Sequence, residues 1–92
     1  MDKGLNALYS ELCNCLREMG WKPKVRKVRN FMCIYIQDVG LSVFISDNIL
    51  FVVKGNKLPP IVYKENISEP GFDMIESINK ICNRFFTSPE KL

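Results

Sequence analysis

Between Trp21 and Phe31 the chain reads WKPKVRKVRNF. Lys22, Lys24, Arg26, Lys27 and Arg29 fall within nine residues, and no acid interrupts them. Cations at this density neutralise phosphates, and that neutralisation supplies the sequence-independent part of nucleic-acid affinity. The same residues would also suit an edge strand, where charge keeps unpaired backbone from recruiting other chains. The elements around the run must decide between the two.

Little else in the chain could do chemistry. There is no histidine, so acid–base work at neutral pH would fall to a shifted carboxylate, cysteine or lysine. Asp38 and Asp47 are the acids of the central region, and both sit in turn-like contexts. Cys33 on a strand could be a nucleophile, but no second group supports it. The glycines are scattered and form no phosphate loop. The four cysteines, Cys13, Cys15, Cys33 and Cys82, match no zinc spacing. We therefore expect no enzyme, no metal and no cofactor.

Charge is polarised along the chain. Residues 20–64 hold eight cations against two acids, while the flanks hold five cations against eight acids. A basic centre between acidic ends points to a polyanionic partner. With 92 residues, 47% hydrophobic and 25% charged, the chain has the makings of one globular domain, residues 1–92. The opening residues include an acid and form no apolar run, so no signal peptide is expected, and the apolar runs Phe31–Ile36 and Ile49–Val53 are too short to span a bilayer. The expectation is a cytoplasmic protein, with no membrane contact and with free thiols.

Leu5, Leu8, Tyr9, Leu12, Leu16 and Met19 repeat at helical spacing, which predicts a helix over 3–19 stopped by Gly20. The centre is β-rich. Leu41–Ser46 alternates, Asp47-Asn48 offers a tight turn whose residues tolerate left-handed backbone, and Ile49–Lys54 returns. Gly55-Asn56 ends that strand, Pro59-Pro60 blocks regular pairing, and Ile61–Lys64 can form a short edge strand. A second helix starts near Ser68–Gly71, with Ser68 as its cap and Phe72, Ile75, Ile78, Cys82 and Phe85 on its apolar face. The tail Thr87–Leu92 reads as frayed. The predicted fold is an α+β two-layer sandwich: N-terminal helix, three- or four-stranded antiparallel sheet, C-terminal helix, both helices on one sheet face.

Such a sandwich leaves one face of the sheet open. Alternation places Leu41, Val43 and Ile45 under the helices, and Ser42, Phe44 and Ser46 outside. On the preceding strand Phe31, Cys33, Tyr35 and Gln37 face out. On the strand after the turn the set containing Lys54 is read as outward. Val25 and Val28 have opposite parity, which hints at a bulge between them. With Val25 inward, Lys24 and Arg26 join Tyr35 and Phe44 outside. The expected site is then Lys22, Lys24, Arg26, Lys27, Arg29 and Lys54 for phosphates, with Tyr35 and Phe44 for bases of RNA or single-stranded DNA. An aromatic open face also suits a protein-interaction or dimerisation module, chaperone- or adaptor-like, with no nucleic acid at all. A homodimer or heterodimer through the sheet is compatible with either use.

The segments PKVRKVRNF and LSVFISDNILFVVKGN resemble the small Alu-domain subunits of the signal recognition particle. The shared features are a basic first strand after a helix and a hairpin of the form Leu-x-Val-x-Ile-Ser-Asp-Asn leading into an apolar strand and Lys. The likeness covers roughly residues 5–54 and 72–86, and 55–71 departs from it. It implies binding of structured RNA through the basic sheet face, as a heterodimer within a ribonucleoprotein, with Lys24, Arg26, Lys27 and Arg29 as the matching cations.

Overall fold

The computed structural model describes residues 2–55 and 60–86, with side chains described from residue 7 onward. Helix α1 spans Asp2–Glu18, strands β1 to β5 span Lys24–Val28, Phe31–Ile36, Leu41–Ile45, Ile49–Lys54 and Ile61–Asn66, and helix α2 spans Met74–Phe85. The strands form one antiparallel sheet in the order β1-β2-β3-β4-β5. The sheet thus has five strands, against the three or four predicted. Strands β1 and β2 are divided by a two-residue loop, Arg29-Asn30, which carries no glycine or proline to mark it in the sequence.

Helix α1 ends as its sequence dictates. Gly20 adopts φ 100°, a conformation without steric cost only for glycine. Its N–H donates to Arg17 O at 3.0 Å, and the Trp21 N–H donates to Leu16 O at 3.0 Å. These two bonds are a Schellman motif, with Trp21 and Leu16 as its buried apolar pair. Trp21 then packs edge-on against Phe86, ring centroids 6.4 Å apart, beside the end of α2.

One core holds the two layers together. Leu8, Leu12, Cys13 and Leu16 of α1 and Ile78, Ile81 and Cys82 of α2 pack on Ile34, Ile36, Leu41, Val43, Ile45, Leu50 and Val52 of the sheet. Fully burying each such aliphatic contributes about 1.5–3 kcal/mol, so this shared set fixes which sheet face the helices cover. Cross-strand partners share a face, and Val25, Ile34, Val43 and Val52 are successive partners on the covered side.

Several expectations are corrected by this register. Strands β1 and β2 pair without interruption from Lys24–Tyr35 to Val28–Phe31, so no bulge separates Val25 from Val28. Val25 turns to the core and Val28 to the open side. The irregularity lies at the other edge, between Val52 and Val53, where Val52 pairs with Tyr63 and Val53 with Ile61. The extra residue there, Val62, packs against the core together with Tyr63. Lys54 is not on the open face. Leu50 and Val52 are wholly buried under the helices, so Lys54, two residues further on, shares their side. Its amine donates to Val39 O at 3.4 Å.

The turns differ in detail as well. Asp47 and Asn48 need no left-handed backbone, because Arg29 is the only non-glycine at positive φ among the described residues. The Ser46 N–H donates to Ile49 O at 2.9 Å and closes that hairpin. Helix α2 begins later than predicted. Asp73, in extended conformation, is its cap and accepts from the Glu76 N–H at 3.1 Å. Ser68 instead turns back to Asn66, its hydroxyl donating to Asn66 Oδ1 at 2.8 Å. The expectations for Asn56, Pro59, the tail 87–92 and the Leu5 side chain lie outside the described residues.

Candidate nucleic-acid interface

The open face can be built row by row from the strand register. Arg26, Cys33, Phe44, Phe51 and Lys64 are successive cross-strand partners from β1 to β5. Lys24, Tyr35, Ser42, Val53 and Ile61 form the neighbouring row. Val28 and Phe31 pair beyond the first. None of these positions is acidic. Cations therefore stand at both ends of an aromatic row, separated by four interstrand spacings, about 19 Å.

The middle of the face is phenylalanine. The Phe44 and Phe51 rings stack with centroids 5.1 Å apart and an interplanar angle of 15°. Phe31 meets both edge-on, at 6.1 Å and 5.4 Å. Each ring shelters the others, so all three are half-buried although no helix covers them. Tyr35 is the exposed aromatic, 37% accessible. Between these rings and β1 runs a shallow groove of about 430 Å³, lined by Lys24, Arg26, Cys33, Tyr35, Ser42 and Phe44 among others. Lys24 Nζ donates to Gln37 Oε1 at 3.3 Å across the end of the groove.

Cys33 forms part of the groove floor and is almost fully buried. Burial pushes its thiol above the ordinary range, with the nearby Arg26 charge and a Ser42 hydrogen bond pulling the other way. The net direction keeps it protonated, so it is a poor nucleophile. Among the described residues no cluster of cysteine and carboxylate side chains could hold a metal ion. No described helix is long and apolar enough to cross a membrane.

The five-cation run is divided by its geometry. Lys24 and Arg26 project onto the open face beside Tyr35 and Phe44. Lys27 has the opposite parity, pairs with Met32, and lies on the helix-covered side of the edge strand. Lys22 precedes β1, and Arg29 occupies the tip of the β1–β2 hairpin at φ 57°. Lys22, Lys27 and Arg29 are all exposed and fringe the face rather than standing on it. Lys54 is removed from it altogether.

Phe51 and Lys64 are residues of the face that escape sequence reasoning. Phe51 could have been found, because a two-residue loop at Asp47-Asn48 fixes Ile45 opposite Leu50 and therefore Phe44 opposite Phe51. Lys64 carries no such signal, since the irregularity in β5 breaks the alternation that would locate it.

The fold and this face define a small two-layer α+β domain whose sheet presents a basic, aromatic surface. Comparison of the chain with protein-family models, curated proteins and solved structures gives no match.

Proposed function

We propose that this domain binds RNA or single-stranded DNA across its open sheet face. The row Arg26–Cys33–Phe44–Phe51–Lys64 carries the reading: a stacked aromatic pair lies between two cations, and no carboxylate stands among them. Lys24 and Arg26 take phosphates along the β1 side, and Lys64 takes one at the far edge. Tyr35 and the Phe44–Phe51 pair give bases a stacking surface, for roughly 1–3 kcal/mol per stacked base. Lys22 and Arg29 extend the positive rim. The resemblance to the signal recognition particle subunits points the same way, toward RNA.

The alternative is a protein partner seated on the Phe31–Phe44–Phe51 cluster, which is an apolar surface on an otherwise polar rim. A second copy placed face to face is the less favourable partner. With no acid in these rows, the cations of each copy would find no carboxylate partner on the other.

Fluorescence anisotropy with labelled single-stranded, hairpin and duplex oligonucleotides separates these readings. Single-stranded or hairpin ligands are expected to bind more tightly than duplex. The double variant Lys24→Glu, Arg26→Glu is expected to lose at least about tenfold in affinity, as two phosphate contacts become repulsive. Affinity unchanged by that double substitution contradicts the reading. A partner that tolerates it but is lost on Phe44→Glu supports the protein alternative.

A further inference from the structure

On the covered side of the sheet, away from the cationic face, Cys15 of α1 and Cys82 of α2 meet where the two helices pack. Their Sγ atoms are 3.2 Å apart, and 67 residues separate them in the chain. All four cysteines are free thiols. Cys13 faces the core from the other side of α1, and Cys33 lies on the open sheet face, so neither shares this contact. Cys82 is buried and Cys15 is only half-buried, so a reagent in solvent reaches the pair through Cys15.

We propose that Cys15 and Cys82 form a reversible redox site, oxidised to an intrachain disulfide by low-molecular-weight disulfides of the glutathione type. Closing from contact to bond needs a relative movement of roughly 1 Å, given an S–S bond near 2.05 Å. The order of events follows from burial. Desolvation, and then the adjacent Cys15 thiol, push Cys82 up to about 12, so Cys82 stays protonated while Cys15 attacks. The Cys15 thiol loses its proton, its sulfur bonds to one sulfur of oxidised glutathione, and the first glutathione leaves as thiolate. Cys82 then gives up its proton and attacks the Cys15 sulfur, and the second glutathione leaves. Two protein thiols and one glutathione disulfide become one protein disulfide and two glutathione thiols, and excess thiol reverses both steps.

The product ties the first helix of the fold to the last. Closing so long a loop removes much conformational freedom from the unfolded chain, and both helices that cover the sheet are then held to each other. Ordinary core packing of two small thiols would give the same contact distance but no selective crosslink.

The test is incubation of the folded full chain with oxidised glutathione, alkylation of the remaining thiols under denaturing conditions, and peptide mapping, with thermal unfolding in parallel. The expected result is one intrachain Cys15–Cys82 link, alkylated Cys13 and Cys33, and a Tm raised by about 10 °C or more, all reversed by dithiothreitol. Cys82→Ala is expected to leave one glutathione trapped on Cys15, and Cys33→Ser to leave the link unchanged. A link through Cys13 or Cys33, a link between chains, glutathione retained on Cys15 of the native chain, or a lowered Tm would overturn the proposal. None of these readouts depends on a nucleic-acid ligand.

Discussion

The five cations of WKPKVRKVRNF stand in different places, and side-chain parity separates those within β1. Lys24 and Arg26 stand on the open face. Lys27 stands on the other side of an edge strand, where charge discourages pairing with foreign strands. Arg29 is set apart by its backbone. It holds φ 57° at the first position of a two-residue hairpin loop, a conformation that costs a side chain about 1–2 kcal/mol and glycine almost nothing. Arg29→Gly is therefore expected to stabilise the fold by roughly 0.5–1 kcal/mol, because glycine's extra unfolded-state freedom offsets part of the relief. Urea unfolding measures this directly, and a destabilised variant would show that the arginine side chain makes a contact worth more than the strain.

At the scale of elements, legibility follows the strength of local chemistry. Helix α1 announces itself through its apolar stripe and its glycine stop, and the Schellman bonds at Gly20 realise that stop. Strand β3 alternates cleanly, and its buried and half-buried positions follow the alternation. Strand β4 is apolar on both sides, so alternation alone assigns Lys54 to the wrong face. Only the two-residue hairpin before it settles the register. In β5 the extra residue Val62 puts two successive apolar side chains against the core, a choice made by packing that leaves no mark in composition. Ser68 and Asp73 are both good caps by type, so residue type alone does not fix the start of α2. Asp73 prevails because Pro70-Gly71 intervenes as a turn, closed by the Phe72 N–H donating to Glu69 O at 3.0 Å. Asp73→Ala is expected to cost about 1 kcal/mol, while Ser68→Ala should cost only a few tenths. Thermal or urea unfolding of both variants checks the assignment, and equal costs would contradict it. Helix α2 is further tied to the sheet edge through Glu65 Oε1, which accepts from Ser77 Oγ at 2.7 Å and from Tyr63 OH at 3.0 Å.

For the whole molecule, the two-layer arrangement sorts the residues by role. Helices and one sheet face make the core, with the Cys15–Cys82 contact where the two helices meet. The other face gathers cations from both sheet edges around stacked phenylalanines. The sequence shows the basic centre of the chain, but only the register reveals that Lys64, distant in sequence, completes the row that Arg26 begins. A charged surface of this kind draws in a polyanion with a strong dependence on salt, whereas an apolar protein interface does not. The salt dependence of oligonucleotide affinity is thus the most direct measurement. Anisotropy titrations of a single-stranded oligonucleotide over a range of salt concentrations are expected to give a log–log slope near −2, about −0.7 for each of the three phosphate contacts at Lys24, Arg26 and Lys64. Lys64→Ala is expected to flatten that slope by about 0.7. No binding at low salt, or a slope that Lys64→Ala leaves unchanged, would contradict a nucleic-acid path from one edge of the sheet to the other.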